Sequence, residues 1–154
     1  MQIPEDYVRI QYADGYYWGQ VAADGRTENG HGMFAWDNGN VYIGDFRNGT
    51  LCGRGRYVWA DGRIYEGEFL DDTISGKGVM TWPSGDRYEG DFANGVMVGK
   101  GVRTFASGDR YEGQFKDNLM DGEGRYYAAD GSIVYDGPWI GGCAINTDDP
   151  RLKD

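Results

Sequence analysis

Four consecutive 23-residue units, 40–62, 63–85, 86–108 and 109–131, are written to one template. Each runs x-x-Tyr-x-Gly-x-Phe, then a polar loop, Gly-x-Gly, a tail of strand-forming residues, and an Asp-Gly or Ser-Gly turn. A fixed period of this length means that each unit is one supersecondary element that buries its apolar face only against its neighbours. Tyr-x-Gly-x-Phe alternates with period two, as does Gly-x-Gly-x-Tyr-x-Trp at 53–59. Alternation of that kind predicts two short strands per unit, joined by Asn-, Asp- and Gly-rich loops into hairpins. No segment has a convincing 3.6-residue period, and glycine at this density makes poor helix. The expectation is an all-β chain: an elongated, curved, single-layer antiparallel meander of about twelve short strands, a β-hairpin repeat solenoid.

Glycine inside a strand packs nothing and costs about 0.5–1 kcal/mol relative to alanine, yet the chain holds 27 glycines. Alternation puts Tyr42, Gly44 and Phe46 on one side of a strand, and Gly53, Gly55, Tyr57 and Trp59 on one side of the next. If both sets share a face, a ring can lie flat over backbone that has no Cβ, and its burial offsets the lost entropy. The large apolar surface is aromatic, with 12 Tyr, 6 Phe and 5 Trp. Those rings define an expected partner-binding groove along one face. Its residues are Trp36, Tyr42, Phe46, Tyr57, Trp59, Tyr65, Phe69, Met80, Trp82, Tyr88, Phe92, Arg103, Phe105, Tyr111, Phe115 and Tyr126. Met80 and Arg103 interrupt the ring row: Met80 as a gap-filler, Arg103 stacked on Phe105 or a neighbouring ring, or set to take an acid of a bound segment. Leu51, Ile74, Met97 and Met120, one period apart, predict an apolar ridge of packed loops along one edge, itself a possible partner contact. The other face carries Asp45, Glu66, Glu68, Glu89, Asp91 and Glu112 on first strands and Arg54, Arg56, Lys77, Lys100 and Arg125 on second strands. Those charges read as a solvated cross-strand ladder.

The flanks are degraded copies. Residues 16–39 keep Trp18-Gly19 and Gly30-His31-Gly32 around a longer loop, and 132–139 keep Tyr135-Asp136-Gly137, with Pro138 and Trp139 continuing to the Phe position. The expected organisation is an N-terminal cap or half repeat at 1–15 and a repeat array at 16–139. Its units are 16–39, 40–62, 63–85, 86–108, 109–131 and a partial 132–139. A polar tail follows at 140–154. Atypical end units suit a stack whose outer faces have no neighbour.

Twenty-five acidic against fifteen basic residues give a formal charge of −10. That balance disfavours nucleic acid and an anionic membrane leaflet as the main partner, and favours a basic or amphipathic protein segment. No catalytic constellation, metal site or cofactor motif is expected. His31 is the single histidine and lies between glycines. Cys52 fills a loop position held by Ser75, Val98 and Asp121 in sister units, and with Cys143 forms no paired spacing. The Gly-x-Gly elements open no helix, as phosphate cradling requires, and the repeated Asp-Gly steps suit turns rather than a calcium cage. No apolar run approaches 18 residues and the first residues lack a leader pattern, which predicts a soluble protein of a reducing compartment.

Tyr-x-Gly-x-Phe, a short loop, Gly-x-Gly and an Asx-Gly turn at 23-residue spacing resemble the MORN (membrane occupation and recognition nexus) repeat over about residues 7–140. The resemblance implies a curved rod of antiparallel hairpins with an aromatic groove. It also implies a non-catalytic scaffold that binds extended or helical partner segments in cytoskeletal, ciliary or flagellar, or membrane-junction assemblies in the cytoplasm. Some members of the family are linked to phospholipids and some precede catalytic domains, for which this chain shows no counterpart. Alternatives are a phospholipid-associated tether, disfavoured by the charge, and a homodimer that closes the rings between two copies. Carbohydrate binding would call for secretion, for which there is no export pattern.

Overall fold

The computed structural model describes residues 6–152, so residues 1–5 of the expected cap and 153–154 of the expected tail lie outside the described residues. Among the described residues, thirteen antiparallel strands follow one another in a single open sheet in chain order. They are β1 (Val8–Tyr12), β2 (Gly15–Val21), β3 (Glu28–Trp36), β4 (Val41–Arg47), β5 (Thr50–Val58), β6 (Ile64–Leu70), β7 (Thr73–Thr81), β8 (Arg87–Ala93), β9 (Val96–Thr104), β10 (Arg110–Lys116), β11 (Leu119–Tyr127), β12 (Ile133–Ile140) and β13 (Cys143–Ala144). Among the described residues the single helical element is a 3₁₀ turn at Pro150–Leu152. The all-β single-layer meander read from the repeat is the fold. Two compact units divide the chain, one ending at Ile74 and the other beginning at Ser75.

Turn chemistry explains the meander. The turns within repeats have two successive residues at positive φ: Asn48-Gly49 at 50° and 82°, Asp71-Asp72 at 48° and 67°, Asn94-Gly95 at 51° and 81°. That is the twist-matched two-residue hairpin for which Asn, Asp and Gly are suited. The turns between repeats close through a glycine amide that donates to the carbonyl three residues back, as Gly62 does to Trp59 and Gly108 to Phe105.

Register puts the Tyr, Phe and Gly columns on one face, with Tyr42 opposite Tyr57 and Gly44 opposite Gly55. Tyr42 and Tyr88 lie across the second glycine of a Gly-x-Gly: a Cβ on Gly55 would fall 2.3 Å from Tyr42 Cε2, and one on Gly101 2.4 Å from Tyr88 Cε2. Each ring stands edge-on between two others. Tyr42 meets Phe46 and Phe69, both at 5.1 Å, and Tyr88 meets Phe92 at 5.0 Å and Phe115 at 4.9 Å. One phenylalanine belongs to the tyrosine's own repeat and one to the next, so this contact couples neighbouring repeats.

The first glycine of the pair does different work. Between Gly90↔Gly101 and Asp91↔Val98 the register shifts, so β9 bulges at Gly99-Lys100, and Gly99 has φ +62°. A bulge strands backbone groups that the ladder would have paired. Side chains recover them: the Lys100 amide donates to Asp91 Oδ2 at 3.3 Å, and the Tyr88 hydroxyl donates to the Asp91 carbonyl at 2.8 Å. The same clamp recurs as Tyr17 to Gln20, Tyr42 to Asp45 and Tyr111 to Gln114, with the His31, Arg54 and Glu123 amides on the Gln20, Asp45 and Gln114 side chains. Asp45 and Asp91 are therefore bulge-holding acceptors, a role the charged-ladder reading did not foresee. Burial pushes the Tyr65 and Tyr111 hydroxyls up to about 12, and raises Tyr17, Tyr42 and Tyr88 as well.

Candidate functional site

The expected groove residues separate into two layers. Tyr42, Tyr65, Tyr88 and Tyr111 have no exposed surface, and Phe46, Phe69, Phe92 and Phe115 are buried too. They form the core rather than an accessible lining: at Tyr42, Tyr88 and Tyr111 glycine lets the ring sink onto the backbone and two rings seal its edges. Met80 and Tyr126 are buried as well. What stays half-exposed is the tail column: Trp36, Tyr57 and Trp59 in the first unit, with Phe34, which sequence reasoning left out, and Trp82, Arg103 and Phe105 in the second.

In the first unit these rings form a continuous row. Tyr12 meets Phe34 at 5.6 Å, Phe34 meets Trp36 at 4.6 Å, Trp36 meets Tyr57 at 5.4 Å and Tyr57 meets Trp59 at 4.6 Å. Arg63 lays its guanidinium over Trp59 at 4.6 Å. Beside the row is a cleft of about 300 Å3, lined in part by Phe34, Trp36, Tyr57, Glu28 and Asp72. Tyr12 donates a hydrogen bond to Glu28, and burial together with that carboxylate pushes the Tyr12 hydroxyl up to about 12.

In the second unit Arg103 takes the ring position. Its guanidinium lies 5.2 Å from both the Trp82 and Phe105 ring centres and pairs with Asp86 at 3.0 Å. Stacking is thus the observed role, and the charge is already matched within the chain. Asp86 also accepts the Ala106 amide at 2.8 Å. Asp109 repeats the arrangement toward Tyr126 and Ala129, and Asn40 toward Tyr57 and Ala60. Asn40, Asp86 and Asp109 thus hold the tail residues that follow them, whereas Arg63, in the same column, has no side-chain acceptor and stacks on Trp59 instead.

Leu51, Ile74 and Met97 are buried and Met120 half-buried, so the ridge packs inward instead of presenting methionine to solvent. The C-terminal segment also packs: Leu152 is 1% exposed, Tyr135 donates to the Ile145 carbonyl, and Trp139, standing in the Phe column, is buried edge-on against Tyr111 at 5.1 Å. Asp149 and Arg151 lie near enough to act on the Tyr126 hydroxyl, which burial and its bond to Asp109 hold up.

On the opposite face the charges pair across strands as expected in places, Arg56 with Glu66 at 3.2 Å and Lys77 with Asp91. The first unit departs from that pattern. Trp18, Met33 and Ile43 sit side by side in register there, Ile43 45% exposed, with Tyr7 edge-on to Trp18 and Arg9 over Tyr16. A shallow depression of about 430 Å3 on that face of the second unit is lined by residues including Glu89, Lys100, Val102 and Glu123. His31 is hydrogen-bonded to the Tyr7 hydroxyl, and both cysteines are free thiols. Among the described residues there is no cluster of three metal-ligating side chains, and no helix long and apolar enough to cross a membrane.

No curated protein matches the chain. Among solved structures it is similar to the SAS-4 (dCPAP) TCP domain of Drosophila melanogaster in complex with a proline-rich motif of Ana2 (dSTIL), at 13% identity and TM-score 0.47, covering 82% of this chain and 75% of that one. It is also similar to a point mutant of the TCP10 domain of Danio rerio CPAP, at 15% identity and TM-score 0.39, covering 85% and 66%. The family model of the MORN repeat matches five times, at residues 28–41, 42–62, 65–87, 88–110 and 111–133. With those matches spanning most of its length and the Tyr-Gly-Phe framework built as described, the chain belongs to the MORN repeat family.

Proposed function

We propose that the protein is a non-catalytic interaction scaffold, and that its half-exposed ring row receives a basic or amphipathic segment of a partner protein. The setting this reading supposes is the one the family resemblance implies, a cytoskeletal, ciliary or membrane-junction assembly. One observation carries it: Phe34, Trp36, Tyr57 and Trp59 keep exposed ring surface on a single-layer sheet, next to tyrosines of the same face that are fully buried. Apolar surface of that extent marks a contact, and an aromatic trough suits an apolar helix face or an extended chain. The net charge of −10 favours a basic segment.

The test is selection of a displayed random peptide library on the folded protein, followed by binding measurements on Trp59→Ala and Phe105→Ala. Both side chains are half-exposed, so their removal spares the core. Amphipathic or basic peptides are expected, weakened about thirtyfold by loss of a ring that anchors them. Recovered peptides that bind both variants as tightly as the parent would refute the groove.

A further inference from the structure

The cleft beside the first unit's ring row holds two carboxylates that packing does not call for. Glu28 falls one period before Leu51, Ile74, Met97 and Met120, in a column whose next three members are buried apolar side chains. Its side chain accepts from the Tyr12 hydroxyl, and its carbonyl takes the Gly49 amide at 2.9 Å. Asp72 accepts the Leu51 amide through Oδ1 at 2.7 Å and donates its own amide to the Leu51 carbonyl at 3.0 Å. Asn118 makes the same pair of bonds with Met97, at 2.8 and 3.1 Å, so that structural task needs an amide oxygen and no charge. Neither Glu28 nor Asp72 forms an ion pair with a basic side chain among the described residues.

Both carboxylates line the cleft with Phe34, Trp36 and Tyr57. Ring faces beside unmatched negative charge are the environment that a delocalised, weakly hydrated cation fits, through cation–π attraction and charge-assisted hydrogen bonds. The molecule already uses that chemistry within itself: Arg63 rests on Trp59, and Arg103 between Trp82 and Phe105 with Asp86 as its counter-ion. We infer that this cleft takes an arginine side chain of the bound segment, with Glu28 and Asp72 as its counter-ions and Trp36 and Tyr57 as its stacking surface. The inference rests on the proposed groove and specifies one of its contacts.

Its test is a titration of the intact protein followed by amide and indole NMR, with N-acetyl-arginine methylamide as probe and N-acetyl-norleucine methylamide as the uncharged control. Saturable shifts at the Trp36 indole N–H and the Gly49 amide are expected with the arginine probe, and much smaller ones with norleucine. Glu28→Gln and Asp72→Asn keep their hydrogen bonds, and each is expected to weaken the arginine probe about threefold to tenfold while leaving the remaining amide spectrum in place. Equal binding of norleucine, no shift with arginine, or full affinity in Asp72→Asn would each overturn the inference. The groove reading fails separately, in the insensitivity of selected peptides to Trp59→Ala and Phe105→Ala. A protein that passes that test and binds norleucine as well as arginine has a groove without a cation site.

Discussion

Replacing Gly101 with alanine separates the two reasons a strand can hold glycine. Gly101 is outside the positive-φ set, so its backbone accepts alanine, and the usual outcome would be a gain of about 0.5–1 kcal/mol from a stiffer unfolded chain. The added Cβ, however, would stand 2.4 Å from Tyr88 Cε2, 2.5 Å from its oxygen and 2.6 Å from Cζ. Carbon pairs settle at about 3.5–4.0 Å, so the ring has to retreat by more than an ångström. Phe92 and Phe115 hold its edges and Asp91 its hydroxyl, which leaves no direction for a small shift. Expelling the ring forfeits about 4–6 kcal/mol, from about 150–250 Å2 of aromatic burial at about 25 cal/mol per Å2. A net loss of about 3–5 kcal/mol is expected, against a total stability of about 5–15 kcal/mol for an ordinary domain. Gly95→Ala is the control: φ there is +81° with nothing within 4 Å of an added Cβ, so only the left-handed backbone is penalised, by about 1–2 kcal/mol. Urea unfolding followed by tryptophan fluorescence and far-UV circular dichroism gives both values. In a Tyr88→Ala background the Gly101 penalty should vanish. A Gly101→Ala protein as stable as the parent, or one less damaged than Gly95→Ala, would refute the cradle.

Two further outcomes follow from the tyrosine clamp. Tyr88→Phe keeps the ring and removes the donor to the Asp91 carbonyl at the bulge, and should cost about 1–3 kcal/mol in the same urea assay; an unchanged midpoint would mean the hydroxyl is dispensable. The buried tyrosines also set a limit at high pH. Their hydroxyls are raised in the fold, Tyr65 and Tyr111 to about 12, mainly by burial, against about 10 in an unfolded chain. The stability they contribute is intact below pH 10 and is lost between 10 and 12, where the unfolded state has released protons that the folded state still holds. Each contributes about 1.4 kcal/mol per pH unit, so the five at Tyr17, Tyr42, Tyr65, Tyr88 and Tyr111 together give about 7. Urea midpoints should therefore be flat to pH 10 and fall steeply above it; midpoints unchanged at pH 11.5 would contradict the burial.

The 23-residue period made the hairpins, their turns and the shared face of Tyr, Phe and Gly legible, because each depends on residues only a few positions apart. Accessibility was not legible in the same way. Tyr42 and Tyr57 lie opposite one another on the same face, yet one is fully buried and the other half-exposed. The difference comes from Phe69, which belongs to the following repeat and closes the second edge of Tyr42. Gly-x-Gly looked like one signal and is two: a left-handed residue that shapes the bulge, and an extended one that admits the ring. Tyr17 joins the tyrosine column, but the altered 16–39 unit drew attention to Trp18 beside it, which points to the opposite face with Met33.

Departures from the template are therefore informative only when read against the column they interrupt. Arg103 interrupts the ring row, and Asp86, 17 residues earlier, supplies the charge that makes the replacement stable. That column holds Asn40, Arg63, Asp86 and Asp109; at 40, 86 and 109 a side-chain oxygen accepts the turn amide, and at 86 the same carboxylate also supplies the charge for Arg103. Glu28 and Asp72 follow the opposite logic. Glu28 stands in a column of apolar side chains, and the column of Asp72 is filled by an amide at Asn118 and by glycine at 49 and 95; each of the two carries a negative charge with no basic partner among the described residues. A compensated departure such as Arg103 with Asp86 is explained within the fold. Two uncompensated charges of the same sign, brought to one aromatic cleft from the start of β3 and from a turn 44 residues further along the chain, leave the fold's own requirements unexplained, and a cation from outside is the group that completes them.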